Sequence, residues 1–171
     1  MRIAFMASLL IIILSLQAAA QSQTFTRDGI EYALELPSTS WRAVSRFDLH
    51  EHFEFVNGDD YSNGHLRLRK KLVTAGTSAE ALFREDERWE LQKLPGYVSC
   101  NQGKGGEFVG HLTGRVFAYE YVNKGRSMEG RIYYLRIDSR TFYALYFTIA
   151  SDKLVTAHEQ LDSIARGFRL K

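Results

Sequence analysis

The chain has a single cysteine, Cys100, among 171 residues. It therefore closes no intramolecular disulfide, offers no CxxC pair for redox cycling and has no Cys/His spacing for structural zinc. A lone thiol becomes a nucleophile only beside an activating group, and the flanking Ser99 and Asn101 supply none, so Cys100 reads as a small, partly buried side chain. Proline is nearly absent too: Pro37 and Pro95 are the only two, and with spaced glycines and 13% aromatic residues the composition excludes a disordered chain. Excess charge of one sign is lacking, with 22 basic against 20 acidic residues, which removes the electrostatic case for nucleic acid or an anionic membrane. Beyond the first 16 residues no apolar run approaches the roughly 20 residues that span a bilayer.

What is present begins with a leader. Arg2 precedes the apolar run Ile3 to Leu16, and Ala18 and Ala20 place small residues where a signal peptidase cuts, so residues 1–20 are expected to leave as a signal peptide. Gln21 stands where a lipoprotein needs cysteine. Without Arg2 the balance is 21 basic to 20 acidic residues, and the remaining 151 residues, 21–171, suit a single α+β domain without a membrane anchor. The expected location is the periplasm in a cell with two membranes and the medium in a cell with one.

Ile30 to Leu36 alternates apolar and polar residues as a half-buried strand, which Pro37 stops before a turn that returns Trp41 to the core. His50–Val56 and Leu66–Val73 form a hairpin around the turn residues 57–64. Placing Phe55 opposite Leu66 and Phe53 opposite Leu68 also sets Glu54 opposite Arg67 as a cross-strand ion pair. Thr77-Ser78-Ala79-Glu80 is a capping box for a helix to about Leu94, with Leu82, Trp89 and Leu94 on its apolar side and Glu80 and Arg84 to Arg88 on a solvated face. Pro95-Gly96 ends it. After a glycine-rich connection, Arg115–Val122, Arg131–Asp138 and Thr141–Ala150 are antiparallel strands. The last is apolar on both faces and so belongs at the centre of a sheet covered on both sides. Ser151-Asp152 caps a final helix with Leu154, Ala157, Leu161, Ile164 and Ala165 at helical spacing, ended by Gly167.

The stretch Tyr32-Ala33-Leu34-Glu35-Leu36-Pro37-Ser38 leading to Trp41, and the ending Leu161-Asp162-Ser163-Ile164-Ala165-Arg166-Gly167-Phe168, carry a resemblance to the PsbP/Mog1-like superfamily over most of the mature chain. The resemblance implies an α/β/α sandwich, a single antiparallel β-sheet with helices packed on its faces. Members are photosystem extrinsic subunits, a nuclear transport factor and exported bacterial proteins of unclear role, so it implies binding or assembly more than catalysis. No functional motif is carried over with it.

The candidate constellations are weak. On a strand His50, His52 and Glu54 share one face with a spacing that could contribute to a metal site, but Arg67, Arg69 and Lys71 would face them and repel a cation. His158-Glu159-Gln160-Leu161-Asp162 lies on a helix but has one histidine where the zinc motif HExxH needs two. Gly125-Arg126-Ser127-Met128-Glu129 lacks the last glycine of a nucleophile elbow and falls in a hairpin. Gly103-Lys104-Gly105-Gly106 is too short for a P-loop and precedes a strand. Arg115, Arg126, Arg131, Arg136 and Arg140, interleaved with Tyr119, Tyr121, Tyr133, Tyr134 and Tyr143, are candidates for a basic aromatic surface. No catalytic, cofactor-binding or metal residue is assigned, and no cofactor is expected. The expectation is an exported non-catalytic binding or assembly module with a protein partner in the envelope or outside the cell. Alternatives are a small-ligand or glycan carrier with a Tyr-lined cleft, and a hydrolase or metal enzyme in which His50, His52 or His158 would converge with carboxylates.

Overall fold

The computed structural model describes residues 22–38, 40–44, 51–57 and 60–171. The leader and His50 lie outside them. Strands β1 (Gln23–Phe25), β2 (Tyr32–Leu36), β3 (Trp41–Val44), β4 (Glu51–Asn57) and β5 (Asp60–Leu72) come first, followed by helix α1 (Ala79–Trp89). Then come β6 (Val98–Ser99), β7 (Gly106–Val109), β8 (Thr113–Asn123), β9 (Arg126–Arg136), β10 (Thr141–Ala150), α2 (Leu154–Arg166) and β11 (Arg169–Leu170).

The strands form two sheets, which corrects the expectation of a single one. A sheet of eight runs β3-β4-β5-β10-β9-β8-β6, with β7 also on β8, and a sheet of three runs β1-β2-β11. Pro37 is the physical reason for the break: it ends β2, and a turn closed by Trp41 N donating to the Ser38 carbonyl sends the chain into the other sheet. The C-terminal Arg169 and Leu170 then pair with Ala33 and Tyr32 of β2.

The residues on the two faces of β10 explain the layers. Tyr143, Leu145, Phe147 and Ile149 face one way, and Leu145 and Phe147 join Leu34, Trp41, Phe53, Tyr133, Leu161, Ile164 and Phe168 in a core under α2 and the small sheet. Phe142, Ala144 and Tyr146 face the other way and join Leu82, Phe83, Phe117, Tyr119, Ile132 and Tyr134 under α1. With β5 and β9 as its neighbours, β10 is the central strand its two apolar faces predict. The hairpin β8–β9 closes between Asn123 and Arg126 with Lys124 at φ 50° and Gly125 at φ 78°, the left-handed pair that a type I′ turn demands.

The hairpin β4–β5 keeps its predicted faces but slides by two residues. Phe53 lies opposite Leu66, His52 opposite Arg67 and Glu54 opposite His65, so the Glu54–Arg67 pair does not form. Glu54 instead lies 3.8 Å from Arg42 of β3. The strands also pair out to Asn57 and Asp60, beyond the predicted ends.

Two features of α1 depart from its sequence pattern. Its cap is Ser78, whose Oγ accepts from Ala81 N at 3.2 Å, while the Thr77 hydroxyl donates to Thr74 and Glu80 turns to Arg115 at 3.0 Å. Its faces are also rotated: Asp86 is 3% exposed, whereas Trp89 is 61% exposed. The reason lies on β5, which presents Arg67, Arg69 and Lys71 to this helix and needs carboxylates opposite them.

A candidate cleft beside helix α1

α1 has 11 residues and β9 has 11. Helical rise makes the first about 16 Å long and strand rise makes the second about 36 Å. A helix of that length leaves part of the sheet face uncovered, and its position is fixed by polar contacts. The buried Asp86 carboxylate accepts from the Tyr134 and Tyr146 hydroxyls at 2.5 and 2.6 Å and from Lys71 Nζ. One turn later Glu90 accepts from Arg67 Nη2 at 2.8 Å and Arg69 Nη1 at 2.5 Å. Burial alone would raise the Glu90 carboxyl, but the two guanidinium groups outweigh it and hold the group at about 2.

Past Glu90 the uncovered sheet forms a cleft of about 400 Å³ under Leu91 and Leu94. Its floor consists of two neighbouring cross-strand rows. In the first, His52 of β4 faces Arg67 of β5, and Arg67 faces Tyr146 of β10. In the second, His65 faces Thr148, Thr148 faces Gly130 of β9, and Gly130 faces Tyr119 of β8. Tyr121 follows along β8 and also lines the space.

Gly130 shapes this floor. A Cβ there would fall 2.0 Å from Tyr119 Cζ, so the Tyr119 ring lies across the glycine, where any side chain would displace it. Tyr119 is 2% exposed, and among the described residues its hydroxyl makes no hydrogen bond. Burial foremost, and then the neighbouring Tyr121, push its ionisation well above the usual phenol value. Across the floor the Arg67 guanidinium lies 4.5 Å from the Tyr146 ring centre. His52 Nδ1 and His65 Nε2 share a hydrogen bond at 2.9 Å, with the rings stacked.

A second polar cluster occupies the opposite face of the large sheet. His158 Nε2 of α2 lies 3.0 Å from Glu129 Oε1, which also accepts from Arg131 Nε at 3.0 Å. Tyr133 donates to Asp162, and Arg131 lies 3.8 Å from the same carboxylate. His158 is thus the half-buried helix residue its position suggests, and it is separated by the sheet from His52. Among the described residues no three of His, Cys, Asp and Glu converge to hold a metal ion. Burial, with Glu120 and Glu129 nearby, pushes the Cys100 thiol up, away from the reactive thiolate. The candidate basic aromatic surface does not exist as such: Tyr119, Tyr133, Tyr134 and Tyr143 are buried. Arg126 and Arg131 are engaged by Asp152 and Glu129, and Arg136 lies over Phe142. A larger, more open depression of about 810 Å³ at the other end of α1 is lined by Leu72, the 73–77 loop, Leu82, Glu85 and Arg140 and has no aromatic wall.

Sequence reasoning placed Tyr119 and Tyr121 on a surface and His52 and Arg67 on a solvated strand face. It did not unite them. The signal that could have done so was Gly130, an isolated glycine inside a strand, which marks a close approach.

No family model and no curated protein sequence matches the chain. Solved structures do. One from Bacteroides thetaiotaomicron superposes with a TM-score of 0.61 at 10% identity over 88% of this chain, which spans only 49% of that structure. Cyanobacterial PsbP (CyanoP) from Synechocystis gives a TM-score of 0.59 at 11% identity, covering 92% of this chain and 96% of that one. LpqN of Mycobacterium tuberculosis, described as involved in cell envelope biogenesis, gives 0.55 at 16% identity over 88% and 91%. At these identities the likeness concerns architecture, and the architecture of this chain is PsbP/Mog1-like.

Proposed function

We propose that the chain is an exported, non-catalytic binding module of the cell envelope or extracellular space that holds a small ligand in the cleft beside α1. The observation that carries this reading is the concave cleft of about 400 Å³ itself, walled by Tyr119, Tyr121 and Tyr146 together with His52, His65, Arg67 and Thr148. A concave site that combines aromatic faces with a few polar groups is the form that small-ligand sites take. Export is supported by the leader pattern of residues 1–20. It is consistent with the described residues containing no helix long and apolar enough to cross a membrane. A non-catalytic role is supported by the separation of His52 from His158 and by the engagement of Glu90 and Glu129 in ion pairs.

The test is capture of the tagged full-length product from the envelope and the medium, followed by native mass spectrometry. The expected result is a protein shortened by its first 20 residues that carries a small molecule, with less of it retained by Tyr119→Phe. Retention of the N-terminus inside the cell, or ligand loading that the substitution leaves unchanged, contradicts the reading. A protein partner is the second reading. The exposed Trp89 favours it, because a large apolar side chain beside the cleft-lining Glu90 is the kind of anchor that interfaces bury.

A further inference from the structure

We infer that the ligand of this cleft is a flat aromatic molecule of one or two rings, with no net charge and few polar substituents, an inference that rests on the cleft being the binding site. Size is the first argument. About 400 Å³ lies at the low end of the range for ligand sites and suits one or two rings, not a polymer segment or a lipid chain. Charge is the second. Among the described residues that line the cleft, Arg67 is the one guanidinium and Glu90 the one carboxylate, and the two meet at 2.8 Å. A charged ligand would give up its hydration to enter a site whose ions are already paired.

The polar edges of the lining are turned to one another. His52 Nδ1 and His65 Nε2 share a hydrogen bond, Tyr146 donates to Asp86, and Tyr121 is hydrogen-bonded to Thr148. What such groups still offer a ligand is their faces. Three of the flat groups are partly exposed, and each is packed beside a buried ring. His65 stacks on His52 with ring centres 5.0 Å apart, the Arg67 guanidinium lies 4.5 Å from the Tyr146 ring centre, and Tyr121 lies 6.0 Å from Tyr119. The row between the two walls holds small side chains, since Thr148 and Gly130 separate His65 from Tyr119. A ring laid over Thr148 extends this packing at the spacing of about 4.5–7 Å that aromatic pairs favour, and the guanidinium plane attracts its π face. A saturated ligand of the same size would bury as much area without those contacts. A polyhydroxylated one would break the bonds between the edges or leave its own hydroxyls without partners.

The test is a titration of the protein, produced from the full chain in an exporting host, with naphthol, its saturated counterpart decalol, naphthoate and glucose at constant ionic strength. It is followed by NMR of the amides and of the aromatic rings. The expected result with naphthol is saturable amide shifts at 65–67, 121 and 146–148 and upfield ring-current shifts of the Tyr121 ring protons. Naphthol should bind about ten-fold or more tighter than decalol, the size that one or two ring contacts give, and at least as tightly as naphthoate. Tyr121→Leu should erase the preference for naphthol over decalol, whereas Tyr121→Phe, which keeps the ring, should preserve it; the same spectra report whether each variant is folded. Decalol binding as tightly as naphthol overturns the aromatic ligand, and tighter binding of naphthoate overturns its neutrality. Glucose at an affinity equal to that of naphthol overturns recognition through faces, and no cleft shift with naphthol overturns the inference as a whole. The broader reading of the cleft is judged separately, by whether the captured protein carries any small molecule: a saturated or charged one leaves that reading standing and overturns this inference.

Discussion

Replacing Asp86 by alanine should be among the most damaging single changes in α1, although the residue sits in a run of charges that looks solvated. Its carboxylate is buried and accepts from Lys71, Tyr134 and Tyr146. The substitution removes one partner of an ion pair whose lysine side chain is only 13% exposed and leaves two buried hydroxyls without their acceptor. Breaking a buried pair costs about 3–5 kcal/mol, and each orphaned hydroxyl about 1 kcal/mol more, with overlap between these effects. We expect a loss of about 4 kcal/mol, a large fraction of the 5–15 kcal/mol typical of a domain. Urea unfolding followed by circular dichroism measures it as a lower midpoint with an unchanged slope. Asp86→Asn keeps one acceptor oxygen and should lose about half as much. Glu85→Ala, on the exposed side of the same turn, should stay within about 0.5 kcal/mol. A loss below about 1 kcal/mol for Asp86→Ala would refute the argument, because it would mean that water replaces all three contacts.

Alkaline stability should fall as pH rises above about 10: burial holds Tyr134 and Tyr146 protonated in the folded state, so the stability they contribute is complete below the unfolded phenol value and is lost above it. Thermal midpoints between pH 8 and 11 show this directly. Glu90 works in the opposite direction, because its carboxyl is held at about 2 in the fold. Its contribution is complete above about 4.5 and disappears as pH falls toward 2, so Glu90→Gln should flatten the acid limb of a midpoint-against-pH curve. Gly130→Ala should displace the Tyr119 ring at a cost of about 1–3 kcal/mol, visible in near-ultraviolet dichroism, and should impair any ligand binding in the cleft. Of the two tryptophans, Trp41 is 1% and Trp89 61% exposed. Acrylamide should therefore quench the wild type through Trp89 and spare the remaining emission of Trp89→Phe, whose stability should change by less than about 0.5 kcal/mol.

Much of the fold was legible because some segments admit one interpretation. Thr141–Ala150 is apolar on both faces, which demands a central strand, and the strand occupies those bounds. Lys124-Gly125 can supply two left-handed residues in succession and does so. The β4–β5 register was not legible, since alternation fixes faces but a slide of two residues leaves every face unchanged. The second sheet was hidden because β11 has two residues, too few for any periodicity. Asp86 was misread for a different reason: charge is assigned to solvent one residue at a time, whereas its burial depends on Lys71, Tyr134 and Tyr146 from three other strands.

The same polar contacts that hide Asp86 also set the size of the cleft. An apolar helix face could slide along a sheet with small changes in buried area, but Asp86 must meet Tyr134, Tyr146 and Lys71 while Glu90 meets Arg67 and Arg69. That double constraint fixes where α1 stops along β5. The chain beyond it is pinned as well: the Pro95 carbonyl accepts from Val122 N at 2.7 Å, and Gly96 takes φ 64° to make the turn. Between Glu90 and Pro95 only Leu91 and Leu94 are held over the floor, so its aromatic rows stay open. Lengthening α1 by one turn would cover Tyr119 and Thr148 with helix. In this fold the charged interface therefore does more than stabilise α1: by ending the helix at a fixed row it decides which part of the sheet is left available for binding.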